Sequence, residues 1–389
     1  MGPCGSLAPF FGQGFVHSAR AMPNADENRN PPAHKPSARP LPMAAFAAAA
    51  LTPVPLFALG LWAGGGFVWA GFLYMACLAA LLDQLLPHVA GDAVEGQEFP
   101  GSDALLATIG LSALVLLPLA TWAIAGPSGL SGGERVLMLF GCGFWLGQVA
   151  HPAAHELIHR GHRTLFNLGR AFYAVVLYGQ HASAHRLVHH RHVATDDDPN
   201  SAPEGMGFYR FAPRAWGGSF RQGWAAEDAL RARATGPQGP HPYHLYLAGG
   251  AVALALAVGI AGLPGLLVWA ALGLHVQVQI LVSDYVQHYG LRRALLPDGR
   301  LEPVGARHSW NTGHWFSSAM MLNAPRHSDH HAHPARPYPA LRLPEADEAP
   351  RLPWPLPVAC TLAFFPRLWK RAIRRHLKPW SAKSQVTEG

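Results

Sequence analysis

Residues 135–159 read RVLMLFGCGFWLGQVAHPAAHELIH. From Arg135 to Ala154 the run carries no charged side chain after Arg135, and it has the roughly 20 residues an α-helix needs to cross the hydrocarbon core of a bilayer. It then delivers His155-Glu156-Leu157-Ile158-His159, whose spacing of four stacks two imidazoles on one helix face. A candidate metal-binding pair therefore sits at the end of a candidate membrane span. By itself the motif equally describes a zinc metalloprotease with Glu156 as general base.

Composition points the same way. Of 389 residues, half are hydrophobic and 14% are charged, against roughly 25% charged in an ordinary soluble domain. Six stretches have span length, from Met43 to Trp62, Phe67 to Leu86, Ala104 to Ala125, Arg135 to Ala154, Leu245 to Gly262 and Leu266 to Tyr285. The links Ala63 to Gly66, Gly126 to Glu134 and Leu263 to Gly265 are short, so the spans pair as three hairpins. The long connections, Arg160 to Pro240 and Leu291 to Gly389, hold nearly all of the arginines. The positive-inside rule then makes both of them cytoplasmic, together with both termini, and places the acidic link Pro87 to Asp103 inside by parity.

The expected fold is all-α, a polytopic membrane protein with six transmembrane helices and a cytoplasmic histidine-rich cap. Residues 1–42 are rich in proline and lack apolar periodicity, which predicts a disordered cytoplasmic tail. The segment Phe10 to Val16 is too short for a signal peptide, and Met22 is a candidate start. The membrane domain is expected over 43–380, with His-box regions 151–240 and 284–345 on the cytoplasmic side, followed by a tail at 381–389. Near the end, Pro366 to Lys378 sets six basic side chains among Trp369 and leucines, which predicts a helix lying on anionic lipid. The formal charge of +7 suits such a surface or an acidic partner, and no nucleic-acid partner is expected.

The chain has twenty-three histidines and four cysteines, Cys4, Cys77, Cys142 and Cys360, with no C-x-x-C pair. A cysteine-held zinc or iron–sulfur site is thereby excluded from the sequence reading, and any electrons must come from a separate protein. Two further histidine boxes follow the first, HRLVHH from His185 to His190 and HSDHH from His327 to His331. Helical spacing predicts that His185 and His189 share a face, with His190 about a quarter turn away so that adjacent rings can serve two metals. It also places His327, His330 and His331 on one face. Eight clustered histidines exceed the three ligands of a zinc protease. Imidazole suits iron, copper, zinc and nickel alike, so ligand type leaves the metal open.

Beyond the boxes themselves, VATDDDPNS from Val193 to Ser201, RHSDHHAHPARPY from Arg326 to Tyr338 and DYVQHYGL from Asp284 to Leu291 resemble the extended motifs of the integral-membrane alkane 1-monooxygenases. These form part of the membrane fatty acid desaturase and hydroxylase superfamily. The resemblance covers roughly residues 43–380 and implies a cytoplasmic dinuclear non-heme iron centre. It nominates nine ligands: His155, His159, His185, His189, His190, His288, His327, His330 and His331.

The same resemblance implies hydroxylation of the terminal methyl of an alkane or similar apolar chain with dioxygen as co-substrate. Electrons would come from rubredoxin or ferredoxin with its reductase, in the cell inner membrane. Two positions depart from the family pattern: Ala184 and Gln287 stand where it usually has acidic residues. Glu156, Gln287, Asp329 and Asn311 are the candidates for supporting the ligands, Asp329 by orienting a neighbouring ring. His151, His181, His192, His308, His314 and His333 are expected to be outer or surface histidines. Pro199 makes Asp196 to Asp198 a turn.

An alkane offers no acidic proton and no polar handle, so its oxidation requires oxygen activated at reduced metal. Trp69, Tyr74, Trp122 and Trp145 are candidates for lining an apolar substrate channel among the spans. The rival readings are a related desaturase or hydroxylase acting on fatty acyl, terpene or alkyl-aromatic substrates, and an intramembrane zinc metalloprotease. A non-enzymatic transporter would scatter its polar groups at mid-membrane, whereas these boxes stand at span ends.

Overall fold

The computed structural model describes residues 39–85 and 89–385, so the expectations for the tail before residue 39, for Met22 and for the last four residues lie outside the described residues. Apart from isolated bridges, the regular structure is helical, as an all-α fold requires. Among the described residues, five helices are long and apolar enough to cross a membrane: Met43–Ala63, Gly66–Leu85, Ser102–Ala125, Gly132–Ile158 and Pro242–His288.

The first two helices are joined by Gly64 and Gly65, whose φ angles of 61° and 58° are reached readily only without a Cβ. The Gly65 amide donates to the Glu134 carboxylate at 2.5 Å, and the same carboxylate closes a capping box with Ser131 at the start of the fourth helix. The two short links expected from the sequence therefore meet at one end of the bundle.

The fifth helix has 47 residues, about 70 Å if straight, more than twice the roughly 30 Å of a hydrocarbon core. It is not straight. Ala261 and Gly262 leave helical geometry, and both arms return to one segment. Tyr246 packs on Gly179, while Trp269 Nε1 donates to the Val175 carbonyl at 2.8 Å and Gln277 Nε2 to the Val176 carbonyl at 2.9 Å. The expected stretches Leu245 to Gly262 and Leu266 to Tyr285 lie on either side of this break.

At the other end, Arg160 pairs with Asp103 at 2.8 Å. Buried Arg326 reaches Asp92 at 2.5 Å and the carbonyls of Ala90 and Leu341 at 2.7 Å each. The acidic link thus lies at the same end of the bundle as the histidine boxes.

Three π-helical turns interrupt the helices, at Tyr74–Leu78, Leu146–Ala150 and His185–His189. Such turns widen a helix locally and are common at functional sites.

The terminal helix Pro366–Gln385 departs from its expected setting. Trp369, Ile373 and Leu377 are buried, with Trp369 against Tyr285 and Tyr289 and Leu377 over Gly290. The apolar stripe that would have entered lipid covers the end of the fifth helix instead.

Candidate metal centre

Four segments converge beyond the ends of the fourth and fifth helices. The fourth supplies His155 and, at its C-cap, His159; the fifth ends on His288. The segment His181–Ala184 continues through the π turn of box two to His192, and box three forms the short helix His327–Ala332. That helix is set by Asn311, whose Oδ1 accepts from the Ser328 amide at 3.0 Å and the Ser328 hydroxyl at 2.8 Å. Its own amide group is bonded to the carbonyls of Ser309 and Pro350. Arg326, one residue ahead of His327, pins the same end.

The nine candidate imidazoles form two groups, each able to offer ring nitrogens within 4.8 Å of one another: His155, His159, His185, His190 and His330, and His189, His288, His327 and His331. The grouping differs from the expected one for a physical reason. In a π turn residue i bonds to i+5, so His185 is brought to His190, their Nε2 atoms 2.9 Å apart, while His189 turns to the second group. Box three likewise divides, His330 going to the first group and His327 with His331 to the second.

The donor set fits a pair of metal ions. Within the first group the Nε2–Nε2 distances are 2.7 Å for His155–His185 and 3.2 Å for His190–His330; within the second they are 3.0 Å for His288–His327 and 3.1 Å for His327–His331. Metal–imidazole bonds of about 2.1 Å at right angles would separate neighbouring nitrogens by about 3.0 Å. His159 Nε2 and His189 Nε2 are buried without any hydrogen-bond partner, which is costly unless something binds them. Burial holds His159 down to about 3, and with its neighbouring rings it holds His185, His190, His327, His330 and His331 well below the ordinary imidazole range. Neutral rings are the form that ligates metal.

His189 differs. Burial, which alone would lower it, is outweighed by Asp198, whose fully buried carboxylate lies 2.8 Å from Nδ1. That bond fixes the proton on Nδ1 and leaves Nε2 for metal. Asp198 is held in turn by the Ser201 hydroxyl at 2.7 Å and the Asn200 amide at 3.0 Å. The turn expected at Pro199 exists, and it serves to present this carboxylate. Asp196, by contrast, is exposed and faces Arg292.

The other supporting candidates lie close by in different roles. Glu156 is buried, accepts from the Tyr338 amide at 3.2 Å and stands 3.8 Å from His330 Nδ1. Gln287 accepts from Ser283 at 2.8 Å and donates to the Ala324 carbonyl. Asp329 contacts His333, Arg336 and the Arg342 amide, so the ring it orients is His333, outside both groups. His151 and His181 also stay outside: His151 Nδ1 meets the Tyr173 hydroxyl at 3.0 Å and His181 stacks on His185.

A cavity of about 160 Å³ adjoins the rings. His155, His185 and His327 stand at it, and Met75, Phe144, Met321, Leu356 and Phe364 supply apolar wall. None of the four aromatic channel candidates lines it. Trp69 and Trp122 are exposed on the outer surface, Trp145 is fully buried with its indole on the Ala50 carbonyl, and Tyr74 lies in a separate outer groove. Residues that sequence reading passed over, Gln148, Gln279 and Ser283, do line it. The signal for Gln279 and Ser283 was present in the sequence as His275, Gln279, Ser283 and Gln287, four polar residues spaced by four in an apolar run.

Comparison with known proteins bears on this arrangement. A family model described as fatty acid desaturase matches residues 135–359. Alkane 1-monooxygenase 1 of Pseudomonas aeruginosa is 31% identical over 285 residues, 72% of this chain and 71% of that protein. The chain belongs to the alkane 1-monooxygenase family. Alkane 1-monooxygenase 2 of the same organism is 28% identical over 315 residues, covering 78% and 82% of the two chains. The xylene/toluene monooxygenase hydroxylase component of Pseudomonas putida is 27% identical over 342 residues, covering 84% and 86%. As a member of this alkane monooxygenase family, within the fatty acid desaturase superfamily, the chain is a multi-pass membrane oxidoreductase with two histidine clusters of diiron type.

Proposed function

We propose that this protein is a six-span monooxygenase of the inner membrane, with both termini and the histidine boxes cytoplasmic. Two irons would be held by the nine imidazoles, and the terminal methyl of an alkane or similar apolar chain would be hydroxylated. The observation that carries this reading is the convergence of two sets of imidazole nitrogens beside a largely apolar cavity. The span count takes the two arms of Pro242–His288 as separate crossings. The orientation rests on the arginines of residues 160–240 and 291–389.

Bound iron would supply the electrons and Lewis acidity that turn dioxygen into an oxidant of C–H bonds. The chain's own residues do the positioning. Met75, Phe144 and Phe364 would hold the hydrocarbon and keep water out, so that one methyl reaches the end marked by His155, His185 and His327. Asp198 keeps the proton of His189 on Nδ1. The balance is one methyl, dioxygen, two electrons and two protons giving a primary alcohol and water. The electrons would come from an acidic one-electron carrier of rubredoxin or ferredoxin type with its reductase, steered by the basic face Arg367, Arg371, Arg374 and Lys378.

The test is expression in membranes with a rubredoxin system, followed by a screen of alkanes, fatty acids and methyl-aromatics. An oxygenated methyl and about two irons per chain are expected. Absence of oxygenated product from all three classes sinks the proposal. The similarity to a xylene/toluene hydroxylase component supports a second reading, a methyl-aromatic substrate, which the same screen separates by product mass.

A further inference from the structure

We propose that Tyr173 is a redox-active side chain, the relay through which an oxidising equivalent left at the centre without substrate is discharged; this rests on the monooxygenase reading above. An oxidant strong enough to take hydrogen from an alkane also attacks the imidazoles beside it. A residue that gives up one electron, and sheds a proton as it does so, intercepts that damage. Tyr173 has the contacts for both.

The helix Arg163–Val175 lies between boxes one and two in the chain and carries Tyr173 fully buried. The Tyr173 ring stands 4.7 Å from that of His181, centroid to centroid, and His181 stacks on His185 at 5.0 Å with 24° between the planes. His185 belongs to the first imidazole group. An electron therefore crosses two ring contacts from the phenol to a candidate ligand. The proton has a separate path. The Tyr173 hydroxyl lies 3.0 Å from His151 Nδ1, and His151 stands at the cavity outside both groups. A buried phenol that is oxidised must lose its proton, and this needs an acceptor within hydrogen-bond reach. Burial, with Asp284 and Tyr178 close by, holds the phenol well above its ordinary range, so it keeps the proton until it is oxidised.

Tyr178 supplies the contrast. It also stacks on His181, at 5.5 Å and 24°, yet its buried hydroxyl has no hydrogen-bond partner among the described residues. It has the electron contact without an exit for the proton, which singles out Tyr173. In the step itself Tyr173 gives one electron through His181 and His185 to the centre, lowering it by one oxidation level, while the O–H bond breaks and the proton passes to His151 Nδ1. The neutral phenoxyl radical is reset by one electron from the one-electron carrier, arriving by the same rings, and by the proton returned from His151.

The experiment mixes the ferrous protein in nanodiscs with dioxygen, without substrate, and freezes samples at intervals for electron paramagnetic resonance and Mössbauer spectra. A transient tyrosyl signal is expected, narrowed when the protein is made with ring-deuterated tyrosine. Tyr173→Phe keeps a ring on His181 and should lower the yield at least tenfold; His151→Leu removes the proton acceptor and should lower it at least fivefold. Tyr178→Phe should leave the signal in place. With carrier added and substrate still absent, peptide mass analysis of Tyr173→Phe should show at least threefold more oxidised His155 and His185 than the unsubstituted protein. Should Tyr173→Phe fail to hold iron, 3-fluorotyrosine placed at position 173 alone splits the signal if the radical is there. Oxidised iron without a tyrosyl signal, a signal that survives Tyr173→Phe or is lost in Tyr178→Phe, an unsplit signal, an undiminished yield in His151→Leu, or equal histidine oxidation overturns the proposal and leaves the monooxygenase reading standing. Ferrous iron that dioxygen does not oxidise sinks that reading and the relay with it.

Discussion

Asp198 and the residue it holds show what a single side chain decides here. Its carboxylate fixes one tautomer of His189, and Asp198→Asn keeps the shape while removing the charge. Iron affinity in the second group is expected to fall by about 10- to 100-fold, read as faster loss of iron to a chelator. Unchanged retention would remove Asp198 from this role. The pairing of ligands is testable in the same way. His155→Ala with His190→Ala strikes one group, so one iron should remain, whereas His155→Ala with His189→Ala strikes both and should leave neither site intact in ferrous titration. The nine histidines were legible by spacing and family likeness. Their partition was not, because an α-helical projection cannot foresee that His185–His189 winds as a π turn. Asp198 was hidden for a related reason: a proline-bounded turn in sequence says nothing about which ring its carboxylate will meet.

At the scale of elements, box three depends on what holds its short helix. Six residues are too few to be stable alone, and the hold comes from Asn311 on Ser328 and from Arg326 bridging to Asp92 and to the backbone carbonyls of Ala90, Gly91 and Leu341. Arg326→Met leaves those acceptors unpaired. Because Asp92 is 39% exposed, the expected cost is discounted to about 2 kcal/mol, seen as a lower melting temperature and reduced iron content. A stable variant with full iron would overturn this account. The apolar helices themselves were readable from hydropathy, and the break expected at Leu263 to Gly265 falls two residues earlier, at Ala261 and Gly262. The setting of the terminal helix was not, since an amphipathic pattern fits a lipid surface and a protein groove equally well, and Tyr285 and Tyr289 provide the groove.

For the whole molecule, so many buried neutral imidazoles make the metal-free protein sensitive to acid. Rings such as His159, His185 and His330 have folded values far below the roughly 6.5 of an unfolded histidine. Between those values the unfolded chain binds more protons, so stability rises with pH through that window and is flat above it. His189, raised by Asp198, acts in the opposite sense but is outnumbered. The iron-free protein should therefore melt at progressively lower temperature as pH is brought from 7 to 5. A melting temperature independent of pH over that range would contradict the burial of neutral rings.

The opening stretch, residues 135–159, determined much by itself: an apolar helix of membrane length ending in a metal-binding pair. Hydropathy and i, i+4 spacing are local properties, which one segment carries without help from the rest. What the tertiary structure alone decided was which rings share a site, which carboxylate serves His189, and that the cavity beside the centre is partly polar. The shared sites and the cavity depend on segments as far apart as Gln148 and Gln279 being packed against one another, and the Asp198–His189 pair, nine residues apart, depends on how the intervening turn folds. Their chemistry arises only from that packing.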